Sequence, residues 1–502
     1  MPSPVQALKN LTVALALCLG WPEASALAQC PHGSPPPCRA ATGRPPAPAA
    51  NSVAVLYLDN LSRDTADAFL ADGLTEEIII RLGQVPRLAV KSRYEVQRFR
   101  GRTAQDLAAL GRALGAAYLV TGSVQRAGDQ VRLRYEVIRA ATRTHVAGDV
   151  IDRSSRDLLT VESDIAREVA TAITGQLLPE ERSRLTRPVT SDPVAYEEYL
   201  RGLLAMNRSY DEPALRAALA YFDQATARDS TFAAAFAAKS EAWFWLADGF
   251  VSPREGYGQA RGAAARALAL DSSQALAYAM LGGAVLALDM NAHEAERLGR
   301  RAIAVNPRAY QGHYLLYLAL TAADRLDEAA LEARRAWEAD SLVSGNGSAN
   351  IDALISSHRL DSAAAFLPRL RAILSPADAD VEEGILLAAR GDLRGALPFV
   401  GWREYGGSHA GIYVRALLAH GDTGAARATV DSMLAARTPG YYNPVALAKA
   451  YTALGEINKG IEWLRRAIDE RTVWLVSVRI DDELAPLRAD PRYAALDRQL
   501  RY

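Results

Sequence analysis

The sequence predicts a multidomain chain of α/β plus all-α class: a small mixed-sheet α/β domain followed by a solenoid of helical repeats. Three observations carry that reading. Ser52-Val53-Ala54-Val55-Leu56-Tyr57-Leu58 is almost continuously apolar, as a strand buried on both faces requires, whereas Val131 to Val137 alternates strictly between apolar and charged side chains. Further on, Ala267-Leu268-Ala269-Leu270-Asp271, Ala302-Ile303-Ala304-Val305-Asn306 and Ala336-Trp337-Glu338-Ala339-Asp340 repeat one form at spacings of 35 and 34 residues. That period belongs to stacked helix–turn–helix units. Aromatic residues make up only 7% of the chain while alanine is abundant after residue 100, a composition suited to close-packed helices.

At ~150 residues per domain, 502 residues give room for two to four domains. Lys plus Arg is 57 and Asp plus Glu 58, a formal net charge of −1, which excludes a bulk electrostatic grip on nucleic acid or an anionic membrane. Hydrophobic residues at 50% and charged residues at 23% are ordinary for a globular chain.

Residues 1–28 read as a secretory signal peptide. Lys9 supplies the positive flank, Leu11 to Gly20 a short apolar run, and Ala26-Leu27-Ala28 the small residues for cleavage before Gln29. The run stops at Trp21-Pro22-Glu23, short of the ~20 apolar residues that a membrane anchor needs. No later stretch of the sequence is long and apolar enough to span a bilayer, so the mature chain is expected to be soluble and periplasmic or secreted. Cys18 would leave with the leader. Cys30 and Cys38 flank a short loop that an oxidising compartment would close as a disulfide. The competing reading is a lipid anchor at Cys30, because Leu27-Ala28-Gln29-Cys30 resembles a bacterial lipobox, although Gln29 stands where that pattern wants a small residue. His32 between the two cysteines supplies too few ligands for a fourfold metal site. Residues 29–51 are Pro-rich with no apolar period and form a tether.

The α/β domain is expected over residues 52–180. After the first strand, Asp64 and Thr65 would cap a helix whose apolar residues Phe69, Leu74, Ile78, Ile79 and Leu82 recur at helical spacing. Leu88-Ala89-Val90 is a second short strand. Thr103 to Leu114 is a second helix, which Gly115 would end. Tyr118 to Val124 begins a third strand, Gly128-Asp129 turns it into the alternating segment, and Thr144 to Ile151 follows as the last strand. Leu158, Val161, Ile165, Val169, Ile173 and Leu177 mark a closing helix.

Leu58-Asp59-Asn60-Leu61-Ser62, Phe69-Leu70-Ala71-Asp72-Gly73-Leu74-Thr75-Glu76-Glu77 and Leu114-Gly115-Ala116-Ala117-Tyr118-Leu119-Val120-Thr121-Gly122-Ser123-Val124 resemble the TolB amino-terminal-like domain. That domain occurs in bacterial envelope and signalling proteins, usually ahead of tetratricopeptide repeats. The resemblance spans residues 52 to about 180 and implies a mixed-sheet module for protein contacts, with no catalytic residue to carry over. Arg87, Lys91, Arg93, Arg98, Arg100 and Arg102 crowd together against a single acid, Glu95. A solvated strand end and loop accounts for them better than an anion or nucleic-acid patch, since Tyr94 and Phe99 alone make a poor stacking platform. Asp72-Gly73-Leu74 lies inside a helical pattern without a Gly-Lys-Ser/Thr partner and reads as helix surface rather than a phosphate loop.

Residues 181–193, within a Pro-rich charged stretch, read as a hinge. Residues 194–474 then hold about eight helix pairs, beginning near Tyr196, Phe236, Tyr278, His313, Ile351, Val381, Ile412 and Val445, with the 34-residue tetratricopeptide period. The units near 351 and 381 are degenerate. Residues 475–502 are expected to cover the exposed apolar face of the last repeat.

No His-Glu-x-x-His, Gly-x-Ser-x-Gly, phosphate-cradling loop or Cys-x-x-Cys is present, so no catalytic residue, metal site or cofactor is assigned. His293, His313, His358, His409 and His420 are scattered through the repeats and read as ordinary surface or interior groups. Three functions compete. The first is an exported interaction scaffold that binds a protein or peptide partner and no nucleic acid. The second is a signalling or transcription-regulatory subunit without its own effector head, and the third an enzyme with an unrecognised site. Solenoids present surfaces, which favours the first. In tetratricopeptide geometry the first helix of each pair lines the concave face. That gives Glu241 and Phe244, Gln311 and Tyr314, and Lys449 and Thr452 as groove candidates, expected to pack against nothing in the free chain.

Overall fold

The computed structural model describes residues 48–64, 67–100, 106–154, 159–186, 188–208, 211–341, 343–402, 409–437, 442–500 and 502. The leader, the two cysteines and most of the tether lie outside the described residues. Chain order begins with β1 (Ser52–Val55), β2 (Asp59–Asn60), α1 (Ala68–Gly83), β3 (Ala89–Val90), α2 (Arg93–Gln97), α3 (Leu107–Leu114), β4 (Tyr118–Ala127), β5 (Gln130–Arg139), β6 (Thr144–Ser154) and α4 (Val161–Thr174).

The sheet is mixed, in the order β3-β1-β4-β5-β6, with β2 paired to β4 beside this path. β1 runs parallel to both β3 and β4, and all four of its side chains are buried, which is why its sequence does not alternate. β5 is antiparallel to β4 and β6 and alternates buried with exposed. Ser92 and Glu95 close a capping box on α2, and Gly115 ends α3 at φ 61°, a left-handed conformation in which a side chain would be strained. The residue at the N-cap of α1 is Asp67, without a side-chain bond, three residues beyond the expected Asp64, and Thr65 lies outside the described residues.

Residues 181–193 are not an open hinge. Pro179 opens helix α5 (Pro179–Thr186), where its missing N–H costs nothing, and Leu185 is fully buried with its carbonyl accepting from Arg81 Nη1 at 3.0 Å. Eight helix pairs follow among the described residues. They are α6 (Pro193–Arg208) with α7 (Glu212–Arg228), α8 (Ala233–Gly249) with α9 (Pro253–Leu270), and α10 (Ala275–Asp289) with α11 (Ala292–Val305). Next come α12 (Tyr310–Ala322) with α13 (Leu326–Ala339), α14 (Ser344–Ser356) with α15 (Leu360–Arg371), and α16 (Pro376–Ala389) with the stub α17 (Leu393–Ala396). The last two are α18 (Ala410–Ala419) with α19 (Thr423–Arg437) and α20 (Pro444–Ala453) with α21 (Ile457–Glu470).

The period has a local cause. Asp229, Asp271 and Asn306 each end the second helix of a pair in extended backbone, and each side chain then accepts from the backbone N–H two residues on, at 2.8, 3.0 and 3.0 Å. These Asx turns redirect the chain into the next pair. Asp340 occupies the same position after α13.

The sheet domain docks directly on the solenoid through α1 and α6. Gly73 is required at this crossing, because a Cβ there would stand 2.7 Å from the side chain of Leu200. Asp72, read from the sequence as helix surface, is 2% exposed and pairs with Arg100 at 2.5 Å. One apolar cluster accordingly runs from Val53 and Leu74 through Tyr196 and Leu200 to Phe232 and Leu246.

The end of the chain does more than cover the last pair. Leu475, Val478, Leu484, Leu487, Leu496 and Leu500 pack with Val445, Ile461, Leu464 and Ile468 of α20 and α21. Val473 and Val476, on a short 3-10 turn (Val473–Ser477), instead join Met280, Leu315, Leu318 and Ala319 of α10 and α12. Arg254 Nε of α9 also donates to the carbonyl of Asp469 at 2.5 Å. The final repeat is thereby tied to the second, third and fourth pairs.

Candidate functional site

A cavity of about 840 Å³ lies where the sheet domain meets the amino-terminal repeats. The sheet domain contributes the second half of α1, Lys91 and Arg93. The solenoid contributes α8 and the junctions that lead into α10 and α12. Cavities of this size at domain interfaces, with mixed apolar and polar walls, are where ligands usually sit.

Its polar groups are set by burial. Glu76 is 2% exposed and accepts from Arg93 Nη1 at 3.5 Å and from the Tyr57 hydroxyl at 3.3 Å. Glu77 accepts from the Tyr199 hydroxyl at 2.8 Å, and burial raises its pKa against the opposing pull of Arg81. Glu241, on α8, is 3% exposed. Its carboxylate accepts a long bond from Gln311 Nε2 at 3.5 Å, and burial likewise pushes its pKa up, with Arg93 opposing. Arg308 stands at the junction before α12 and has no carboxylate within ion-pair distance among the described residues.

Of the six groove candidates, Glu241 and Gln311 meet at this cavity, bridging two repeats. The other four are already engaged, contrary to the expectation that they pack against nothing. Phe244 is a core residue, 4% exposed, edge-on to Trp245 and Tyr257 with ring centroids 5.5 and 5.3 Å away. Tyr314 is half-buried between Trp245 and Tyr317, at 6.3 and 6.0 Å, in a nearly filled gap. Lys449 Nζ lies 2.5 Å from Asp481 and 3.2 Å from Glu483, both on the returning C-terminal segment. Thr452 is 5% exposed and donates to the carbonyl of Ala448 at 2.6 Å. The groove candidate Lys449 is therefore already held by the chain's own tail.

The basic run is neutralised from within the fold. Arg87 pairs with Glu181 at 2.5 Å, Lys91 with Glu95 at 3.3 Å, Arg93 with Glu76 and Arg100 with Asp72. Arg98 donates to the carbonyl of Ala113 at 3.3 Å, while Arg102 lies outside the described residues. Most of these acids are non-local, so the run looks unbalanced only in the sequence. A hint was available in the three acids Asp72, Glu76 and Glu77 on an otherwise apolar helix. His313 is interior, its Nδ1 2.7 Å from Glu332 Oε2. Among the described residues no group of His, Cys, Asp and Glu could hold a metal ion, and no helix is long and apolar enough to cross a membrane.

No protein-family profile matches the chain. A curated Rhizobium meliloti (strain 1021) protein named "Putative adenylate cyclase 3" is 30% identical over 303 residues, 59% of this chain. The match spans 44% of that relative's own length, less than half of it. Solved structures with similar helical arrangements include PilW, described as a type IV pilus biogenesis factor, at 14% identity and TM-score 0.33, covering 41% of this chain and 90% of that one. YrrB, described as a TPR protein with an unusual peptide-binding site, is 21% identical at TM-score 0.26, covering 36% and 88%. Yeast Tom70 is 14% identical at TM-score 0.31, covering 54% and 55%.

Proposed function

We propose that the chain is an exported, non-catalytic scaffold in which a TolB-like module and a tetratricopeptide solenoid together hold a protein or peptide partner. The composite cavity carries this reading: its walls come from both parts, and its polar groups are positioned by packing rather than arranged as an acid, base and nucleophile. Export rests on residues 1–28 acting as a leader cleaved between Ala28 and Gln29. The mature end would carry the Cys30–Cys38 disulfide or, in the competing form, a lipid on Cys30. A second reading is a signalling or transcription-regulatory subunit of the same architecture. Its support is the 30% identity to a protein named as an adenylate cyclase.

The test places a photo-reactive residue at Ile80, which lines the cavity and is 44% exposed, and at Leu331, 38% exposed on α13, as a control. Irradiation in envelope extract should join a discrete protein to the first site and not to the second. Equal recovery at both sites, or none at either, rejects the scaffold reading. Cytoplasmic chain with Met1 to Ala28 still attached would favour the regulatory one.

A further inference from the structure

Four consecutive inter-repeat junctions face the cavity: Thr231, Asp271 to Gln274, Asn306 with Arg308 and Ala309, and Ala339 with Asp340. Packed helices lie about 8–10 Å apart, so three such steps measure roughly 24–30 Å. An extended chain at about 3.3 Å per residue needs roughly seven to nine residues to cross them. Neither Gln274 at the start of α10 nor Ala309 at the start of α12 makes a side-chain cap, so first-turn N–H groups there have no side-chain acceptor from the cap residue. Gln274 and Gln311 add amide side chains, which both donate and accept. Arg93 and Lys91 have their own carboxylates in the fold, whereas Arg308 has none at ion-pair distance among the described residues, and Glu95, the carboxylate that acts on it from further off, is paired with Lys91.

From these placements we infer that the cavity binds an extended, acid-containing polypeptide segment of about seven to nine residues. The segment lies across the repeat junctions, clamped between them and the sheet domain, with an Asp, Glu or terminal carboxylate at Arg308. This deepens the scaffold reading and rests on it. It also differs from a site on the first helices at Lys449, which Asp481 and Glu483 already hold, or at Leu315 and Leu318, which cluster with Val473 and Val476.

The probe is a random octapeptide display library selected on the full chain, with enriched peptides remade and measured by fluorescence anisotropy. Enriched peptides should carry Asp or Glu. Arg308→Glu should weaken them about tenfold or more, and replacing their acid by Lys should restore part of the loss. Arg308 is exposed, so this variant should keep a melting temperature within a few degrees of wild type. Ala234→Trp, at a half-buried position lining the cavity, should block binding while the melting temperature stays within a few degrees. Failure to enrich any peptide, enrichment without acidic residues, or wild-type affinity in both variants overturns the inference. If an envelope protein still cross-links from Ile80 in the Ala234→Trp chain, the scaffold reading stands and the cavity assignment alone falls.

Discussion

Replacing Glu162 by Gln should change how the stability of the chain depends on pH. Glu162, on α4, is fully buried and lies 3.0 Å from Arg81 Nη2, while its Oε2 has no hydrogen-bond partner among the described residues. Arg81 is shared with Glu77 at 3.8 Å, so one cation faces two buried carboxylates. Burial, which Arg81 only partly offsets, pushes the Glu162 pKa from 4.5 up to about 8. The native chain therefore holds this proton more tightly than the unfolded chain does. Its contribution to stability is complete below pH 4.5 and is lost as the pH rises to about 8. That gap corresponds to roughly 5 kcal/mol, an upper figure for one group. Glutamine keeps an acceptor for Arg81 and does not titrate, and the pull of Arg81 on the charged carboxylate is already contained in the raised pKa. At pH 5 the two proteins should differ by about 1 kcal/mol or less; at pH 9 the variant should be more stable by up to about 4 kcal/mol. Urea unfolding followed by fluorescence at pH 5, 7 and 9 gives the comparison. Parallel pH profiles, or a wild-type chain that gains on the variant as the pH rises, would refute the argument.

Three other outcomes follow from the packing. Lys449→Met leaves Asp481 and Glu483 buried without their cation, so it should cost about 3–5 kcal/mol at pH 8 by urea titration, and less at pH 5, where a Glu483 whose pKa is already raised to about 7 is protonated. Gly73→Leu drives a side chain into Leu200 and should cost about 1–3 kcal/mol, with hydrogen exchange rising at α1 and α6; unchanged exchange there would mean the two helices do not depend on this crossing. Tyr314→Ala removes a ring packed between Trp245 and Tyr317 and should lower stability by about 3–5 kcal/mol; a melting temperature within a few degrees of wild type would restore it as a free groove residue.

What was legible in the sequence was local. The Asx residues at 229, 271 and 306 announce the helical period because each side chain acts on backbone two residues away, and Asp340 stands at the same position after its helix. The alternation of Val131 to Val137 fixes one face of β5 for the same reason. The groove residues depend instead on which helix face looks inward. α8, Ala-Ala-Ala-Phe-Ala-Ala-Lys-Ser-Glu-Ala-Trp-Phe-Trp-Leu-Ala-Asp-Gly, is apolar nearly all round because it is packed on several sides, so no stripe separates Phe244 in the core from Glu241 at the cavity. The Arg81–Glu162 pair, 81 residues apart, and the distant Glu181 that holds Arg87 leave no local trace. Neither does the return of Val473 and Val476 to α10 and α12, which look from the sequence like any other apolar pair in a closing segment.

That return changes the arithmetic of the repeats. An open stack in which each unit touches only its neighbours tolerates the gain or loss of a unit and unfolds piecemeal from its ends. Here Arg254 must reach Asp469, and Val473 must reach Leu315, across more than a hundred residues of intervening chain. Adding or deleting one helix pair between them would shift every later unit by about 8–10 Å and a rotation, and both contacts would miss. The number of repeats is consequently fixed by closure, as the number of staves is fixed in a hooped barrel. Fraying of the last pair is resisted by residues encoded two hundred positions earlier, and the middle units inherit that restraint from both sides.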